Sequence, residues 1–149
     1  MTSHLVLRAR SAEQELARRL GESNVPRQFG FELEAAEAGR AVVRMRVASK
    51  HKQVHGVVHG GVLAAMADTA GALATYMVVP RGTRLATLEI KINYLEPVDR
   101  GNVTAEARVL RIGKNFAVVD CEVLDAKGRL AAKALMTFSI GRVKRKRRG

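Results

Sequence analysis

The sequence predicts an α+β domain in which an antiparallel sheet surrounds one long buried helix. Three observations carry this. Residues 60–79 form a single Ala- and Gly-rich run, almost uncharged, whose one charged side chain is Asp68. Two strand-like segments precede that run and four follow it. No helix alternates with the strands, so a doubly wound parallel sheet does not fit. A helix apolar on all sides must be enclosed by protein, and a curved sheet is the available cover.

Each element has its own signal. Ser11-Ala12-Glu13-Gln14 reads as a capping box, Leu16 and Leu20 lie one turn apart, and Gly21 is a stop. These residues predict a short surface helix within an N-terminal segment, residues 1–27. Pro26 breaks the chain, and residues 28–37 and 40–49 then read as two strands joined at Ala38-Gly39. Val43, Met45 and Val47 alternate with Arg44 and Arg46, the period of a half-buried strand. A loop at 50–58 leads into the buried helix, which is predicted to run to about Val79 before Pro80-Arg81-Gly82.

The strands after the helix repeat the period of two. Leu88, Ile90, Ile92 and Tyr94 alternate with Thr87, Glu89, Lys91 and Asn93. Val103, Ala105, Ala107 and Val109 line one face of the next strand. Gly113-Lys114-Asn115 turns the chain, and Ala117, Val119, Cys121 and Val123 again share a face. Ala126-Lys127-Gly128 turns it once more into a last strand ending near Ile140.

Bulk properties narrow the function. A chain of 149 residues with 47% hydrophobic content is one domain able to bury a core. Its net charge of +12 owes much to the tail, residues 142–149, where Arg142, Lys144, Arg145, Lys146, Arg147 and Arg148 are clustered. Without these six, 20 basic residues face 14 acidic ones. The tail is expected to be solvated and disordered. With 4% aromatic residues there are few platforms for stacking bases, so nucleic acid is not an expected partner.

The run at 60–79 has the length of a membrane span, but Asp68 near its centre would cost about 2.5–3.5 kcal/mol on insertion. Stable membrane insertion is therefore not expected. Leu5-Val6-Leu7 is too short for the apolar core of a secretion signal, and the single cysteine, Cys121, allows no internal disulfide. The expected compartment is the cytoplasm. Cys121, on the apolar face of its strand, reads as a buried thiol.

The chemistry concentrates at His59-Gly60-Gly61 and Asp68. Glycine amides at a helix start have no intrahelical acceptor and sit at the positive end of the helix dipole, which suits a developing oxyanion. A carboxylate in apolar surroundings suits a general base or a nucleophile, and the sequence leaves both open. Gln53 can bond a water or a carbonyl oxygen, whereas His59 is expected to brace the loop rather than to move protons. His51, His55 and His59 have no cysteine or carboxylate at ligand spacing, so no metal or other cofactor is expected.

The set formed by Gln53, His59-Gly60-Gly61 and Asp68-Thr69-Ala70 resembles the hotdog-fold thioesterases, in particular their phenylacetic-acid-degradation (PaaI-like) branch. So do the block from Thr87 to Pro97 and the pattern from Gly128 to Ala134. Many members carry Asn where Gln53 stands. The resemblance covers about residues 28–141 and implies a six-stranded antiparallel sheet around one central helix. It also implies a homodimer or homotetramer and hydrolysis of acyl-CoA thioesters, here of a medium-chain or aryl acyl group. A non-catalytic acyl-CoA-binding protein is the alternative. Arg111 and Lys114, with Arg81 and Arg84, are candidate contacts for the phosphates of coenzyme A.

The spacing within the motif adds one expectation. Gly60 and Asp68 are eight residues apart, roughly 12 Å along a helix. Reacting groups must approach to about 3–3.5 Å. An amide and a carboxylate of one chain therefore serve different thioesters, and two antiparallel helices related by a two-fold axis would pair them between subunits.

Overall fold

A computed structural model describes residues 3–141. The basic tail at 142–149, and the expectation of disorder attached to it, lie outside the described residues. The elements run α1 (Ser3–Glu22), α2 (Asn24–Phe29), β1 (Glu32–Glu37), β2 (Arg40–Arg46), α3 (Gly60–Tyr76), β3 (Arg84–Tyr94), β4 (Asn102–Ile112), β5 (Phe116–Leu124) and β6 (Leu130–Gly141). The six strands form one antiparallel sheet in the order β1-β2-β4-β5-β6-β3.

The N-terminal segment differs from its sequence reading. α1 is not a short helix but has 20 residues, and residues 24–29 form a second helix where a strand was expected from residue 28. Pro26 does not break the chain, because it sits in the first turn of α2, where its missing N–H would have had no helical acceptor. Gly30, at φ 71°, then turns the chain in the left-handed conformation that glycine adopts without strain. The strand after Arg40 closes at Arg46, ahead of a single 3₁₀ turn at Ser49–His51. The buried helix ends at Tyr76, three residues before Val79.

One face of the sheet carries the core. Ala105, Ala107, Val119, Cys121 and Val123 are fully buried, as the alternation in β4 and β5 requires. α3 lays Met66, Ala67, Ala70 and Ala74 against them. Gly71 is needed for this approach: a Cβ there would lie 2.8 Å from Cε of Met136 and 3.0 Å from the Phe138 ring.

α3 is not enclosed on every side. Ala64, Ala65, Asp68, Thr69, Ala72 and Tyr76 form an outward stripe that is only half-buried. No helix among the described residues is long and apolar enough to cross a membrane.

The two sheet edges are unlike. β1 has six residues, including Glu32, Glu34 and Glu37. β3 has eleven, and its Leu88 and Tyr94 are 57% and 51% exposed. β3 also contains a bulge between Thr87 and Glu89. The extra residue inverts the alternation, so Thr87 pairs with buried Phe138 while Glu89 pairs with Thr137 on the outer face.

Candidate active site

The loop entering α3 is held by histidine. His51 is buried, and its Nδ1 accepts from the Ala48 amide at 2.9 Å. Nε2 must then carry the ring proton, and it lies 2.8 Å from the Phe29 carbonyl. The His51 carbonyl accepts from the His59 amide at 2.8 Å, and Lys52 bridges to Val58. Gln53 is turned into the same loop, where its side-chain oxygen accepts from the His55 amide at 2.5 Å.

His59 caps α3, with Nδ1 accepting from the Gly61 amide at 2.9 Å. The Val62 amide bonds the His59 carbonyl. Of the two glycine amides at the helix start, Gly60 is therefore the one to which no described residue gives an acceptor. Tyr94 closes over it from the far end of β3, its hydroxyl donating to the Gly60 carbonyl at 2.8 Å. A Cβ on residue 60 would stand 2.9 Å from Cζ of that ring, so the close approach requires glycine. Partial burial of the Tyr94 phenol raises its pKa above the ordinary value.

Asp68 lies two turns further along α3 on the outward stripe. Its Oδ1 accepts from the Thr87 hydroxyl at 2.6 Å. The bulge in β3 makes that contact by moving Thr87 onto the helix-facing side. Asp68 also borders a cleft of about 650 Å³ between α3 and the α1–α2 arm. A half-buried carboxylate with one oxygen held by a hydroxyl, beside an open cleft, can accept a proton from water.

Strand pairing separates the remaining candidates into groups. Arg84 pairs with Gly141, and Ile140 donates to the Asn115 carbonyl, so Arg84 and the β4–β5 turn with Arg111 and Lys114 share one end of the sheet. Thr87 lies near that end, whereas Tyr94 and Gly60 lie towards the other. Arg81 is in the turn after α3, facing α1. Thus Asp68 meets Thr87 and Gly60 meets Tyr94, but Asp68 and Gly60 remain eight residues apart on one helix. Neither Thr87 nor Tyr94 was singled out from the sequence. No group of three or more His, Cys, Asp or Glu among the described residues is arranged to hold a metal ion.

Comparison with known proteins gives this arrangement a family. The Thioesterase superfamily profile matches residues 55–132. A candidate esterase of Saccharolobus solfataricus is 41% identical over 108 residues, which is 72% of this chain and 76% of that protein. The 1,4-dihydroxy-2-naphthoyl-CoA hydrolase of Listeria monocytogenes is 32% identical over 120 residues, 80% of this chain and 95% of the relative. The solved structure of the Escherichia coli PaaI protein, from the phenylacetic acid degradation operon, superposes with a TM-score of 0.78 at 26% identity. It covers 87% of this chain and 94% of its own. The chain belongs to the thioesterase superfamily and has the hotdog fold. It is an enzyme of that hydrolase class, of the PaaI-like kind.

Proposed function

We propose that the protein is an acyl-CoA thioesterase whose two catalytic halves come from different subunits of a homodimer. The observation that carries this reading is the division of α3: a free amide at Gly60 and a hydroxyl-bound carboxylate at Asp68, too far apart to act on one carbon. The exposed apolar edge at β3 supports the pairing, since a long unpaired edge strand is a template for a second strand. Antiparallel pairing there sets Gly60 of the partner subunit opposite Asp68. Phe116 and Leu135, exposed on the outer sheet face, would suit a further pairing of dimers.

In this reading Thr87 holds Oδ1 of Asp68 and leaves Oδ2 to accept a proton from water. The water oxygen attacks the thioester carbon, and the carbonyl oxygen, now an anion, accepts a hydrogen bond from the amide N–H of Gly60 of the partner subunit. The C–S bond breaks, the coenzyme A thiolate takes up the proton that Asp68 removed from the water, and the free acid is released. Removing a comparable oxyanion donor costs about 2.7–4 kcal/mol elsewhere. Tyr94 steadies the peptide group at residue 60, and His59 fixes the helix start; neither is required to carry a proton. Arg84, Arg111 and Lys114, at the Asp68 end of the sheet, stand where the phosphates of coenzyme A would pass. The lone buried Cys121 fits a reducing compartment, and we place the enzyme in the cytoplasm.

The test is thiol release from a panel of acyl-CoAs by the wild-type chain and by Asp68→Asn. Loss of a general base predicts a fall in kcat of about 10²–10⁴ with acyl-CoA binding retained. Tight binding without turnover by the wild-type chain would establish the acyl-CoA-binding alternative instead.

A further inference from the structure

Two consecutive residues of the loop before α3 reach back to the α1–α2 arm. The Lys50 ammonium donates to the Gln28 carbonyl at 2.6 Å, and Nε2 of His51 donates to the Phe29 carbonyl at 2.8 Å. These carbonyls end α2, where no helical N–H remains to meet them. The Lys50 bond is exposed, whereas His51 is only 2% exposed and both its ring nitrogens are committed, Nδ1 to the Ala48 amide and Nε2 to α2. An apolar side chain could fill the same space but could make neither bond.

The same residue closes the hairpin that carries the oxyanion donor. Residues 51 and 59 face each other at its base, where the His59 amide donates to the His51 carbonyl at 2.8 Å. Val54 near the tip is 95% exposed, and between residues 51 and 59 only Val58 is buried. The hairpin has no core of its own and takes its position from its base. The Gly60 amide belongs to the peptide group directly after His59. On one side of it the His59 amide is held by His51. On the other, Tyr94 holds the Gly60 carbonyl and the His59 ring holds the Gly61 amide. A displacement of residue 51 therefore turns the Gly60 N–H.

We infer that His51 is a positioning residue for the Gly60 oxyanion donor, and that its ring makes the α1–α2 arm part of the catalytic framework. The inference rests on the thioesterase reading and deepens it. An oxyanion donor works by being fixed before charge develops, so a shift of about 1 Å can cost about 10²-fold in rate. Such a shift weakens the hold on the transition state and leaves the hold on the ground state as it was.

The experiment measures kcat, KM and the folded fraction of the full chain on the best substrate of an acyl-CoA panel, for wild type, His51→Leu, His51→Asn and His51→Gln. It also measures the affinity of two analogues of that substrate. One is a trifluoromethyl ketone, whose hydrate mimics the tetrahedral intermediate, and the other is an inert thioether. His51→Leu loses both ring bonds. Asn sets an oxygen near the place of Nδ1 and keeps the Ala48 bond, whereas Gln sets a nitrogen near the place of Nε2 and keeps the bond to α2. His51→Leu is expected to lower kcat by about 100-fold with KM within about threefold of wild type. Its affinity for the ketone should fall by a similar factor while its affinity for the thioether holds. Gln should recover more of kcat than Asn, because it keeps the arm attached. A folded His51→Leu chain with wild-type kcat, or one that loses both analogues equally, overturns the inference. If His51→Leu does not fold, the same comparison is made on Asn and Gln, and wild-type kcat in both overturns it. Recovery by Asn equal to or above that by Gln overturns the part given to the arm. A wild-type chain that hydrolyses no acyl-CoA overturns the thioesterase reading and this inference with it.

Discussion

The Thr87 hydroxyl donates to Oδ1 of Asp68 at 2.6 Å, joining an edge strand to the central helix at the proposed point of chemistry. A hydrogen bond to a charged group contributes about 1.5–3 kcal/mol, roughly one to two powers of ten in rate if it is needed in the transition state. Thr87→Val should therefore lower kcat by about 10–100-fold with little change in melting temperature, and Thr87→Ser should restore most of the rate. Equal rates for Thr87→Val and wild type would remove Thr87 from the mechanism.

Subunit exchange tests the division of the site. Asp68→Asn and Gly60→Val chains should each be inactive as homodimers. The second fails because any side chain at residue 60 meets the Tyr94 ring at 2.9 Å. Co-expressed, they should form heterodimers in which one of the two sites combines an intact Asp68 with an intact Gly60. Activity well above either parent is expected in the purified mixture, and a mixture as inactive as its parents would place both groups of each site in one chain.

Cys121 is buried, and desolvation, with Asp120 adding to it, pushes its thiol pKa up to about 12. Thiolate is the reactive form, so the native protein should resist a chromogenic disulfide reagent at neutral pH. Labelling should appear only along the unfolding transition in urea. Rapid labelling of native protein would show that β5 opens locally.

Asp125 accepts from the amides of Arg129 and Lys127 at 2.9 Å and from Nε of Arg129 at 2.7 Å. These bonds, the Arg129 amide foremost, hold its pKa below the ordinary carboxylate value although burial opposes them. A folded-state pKa below the unfolded one adds stability at pH values above the unfolded value, about 3.9. That stability is lost as pH falls through the folded value. Asp125→Asn should thus be less stable than wild type in urea at pH 7, and the gap should narrow below about pH 4. A gap independent of pH would assign the loss to packing instead.

Much of the architecture can be read from periodicity. In β4 and β5, alternation places Ala105, Ala107, Val119 and Cys121 in the core because no irregularity intervenes before Val109. In β3 the same reasoning fails at one residue. Strict alternation puts Thr87 on the polar face with Glu89, and only the bulge, which local sequence does not announce, turns it towards Asp68. Pro26 misleads for a similar reason: proline ends a helix from its interior but not from its first turn, and position decides which.

The glycine pair is legible as a helix start, but its two amides are equivalent in sequence. They become distinct only because the His59 ring folds back onto Gly61. Tyr94 is 34 residues from Gly60, and its approach depends on a strand pairing that no local pattern encodes.

The contrast between the two edges of the sheet also limits how far assembly can proceed. A sheet with two adhesive borders can add copies without end, as a fibre does. Here the border at β1 is short and bears the charged side chains Glu32, Glu34 and Glu37, which blunt it against strand addition. In the proposed homodimer, two β3 borders joined about a two-fold axis would both be consumed, leaving a short, charged β1 at each outer margin. Growth along the sheet would then stop at two chains, and an edge that would be a hazard in an isolated subunit would become self-limiting.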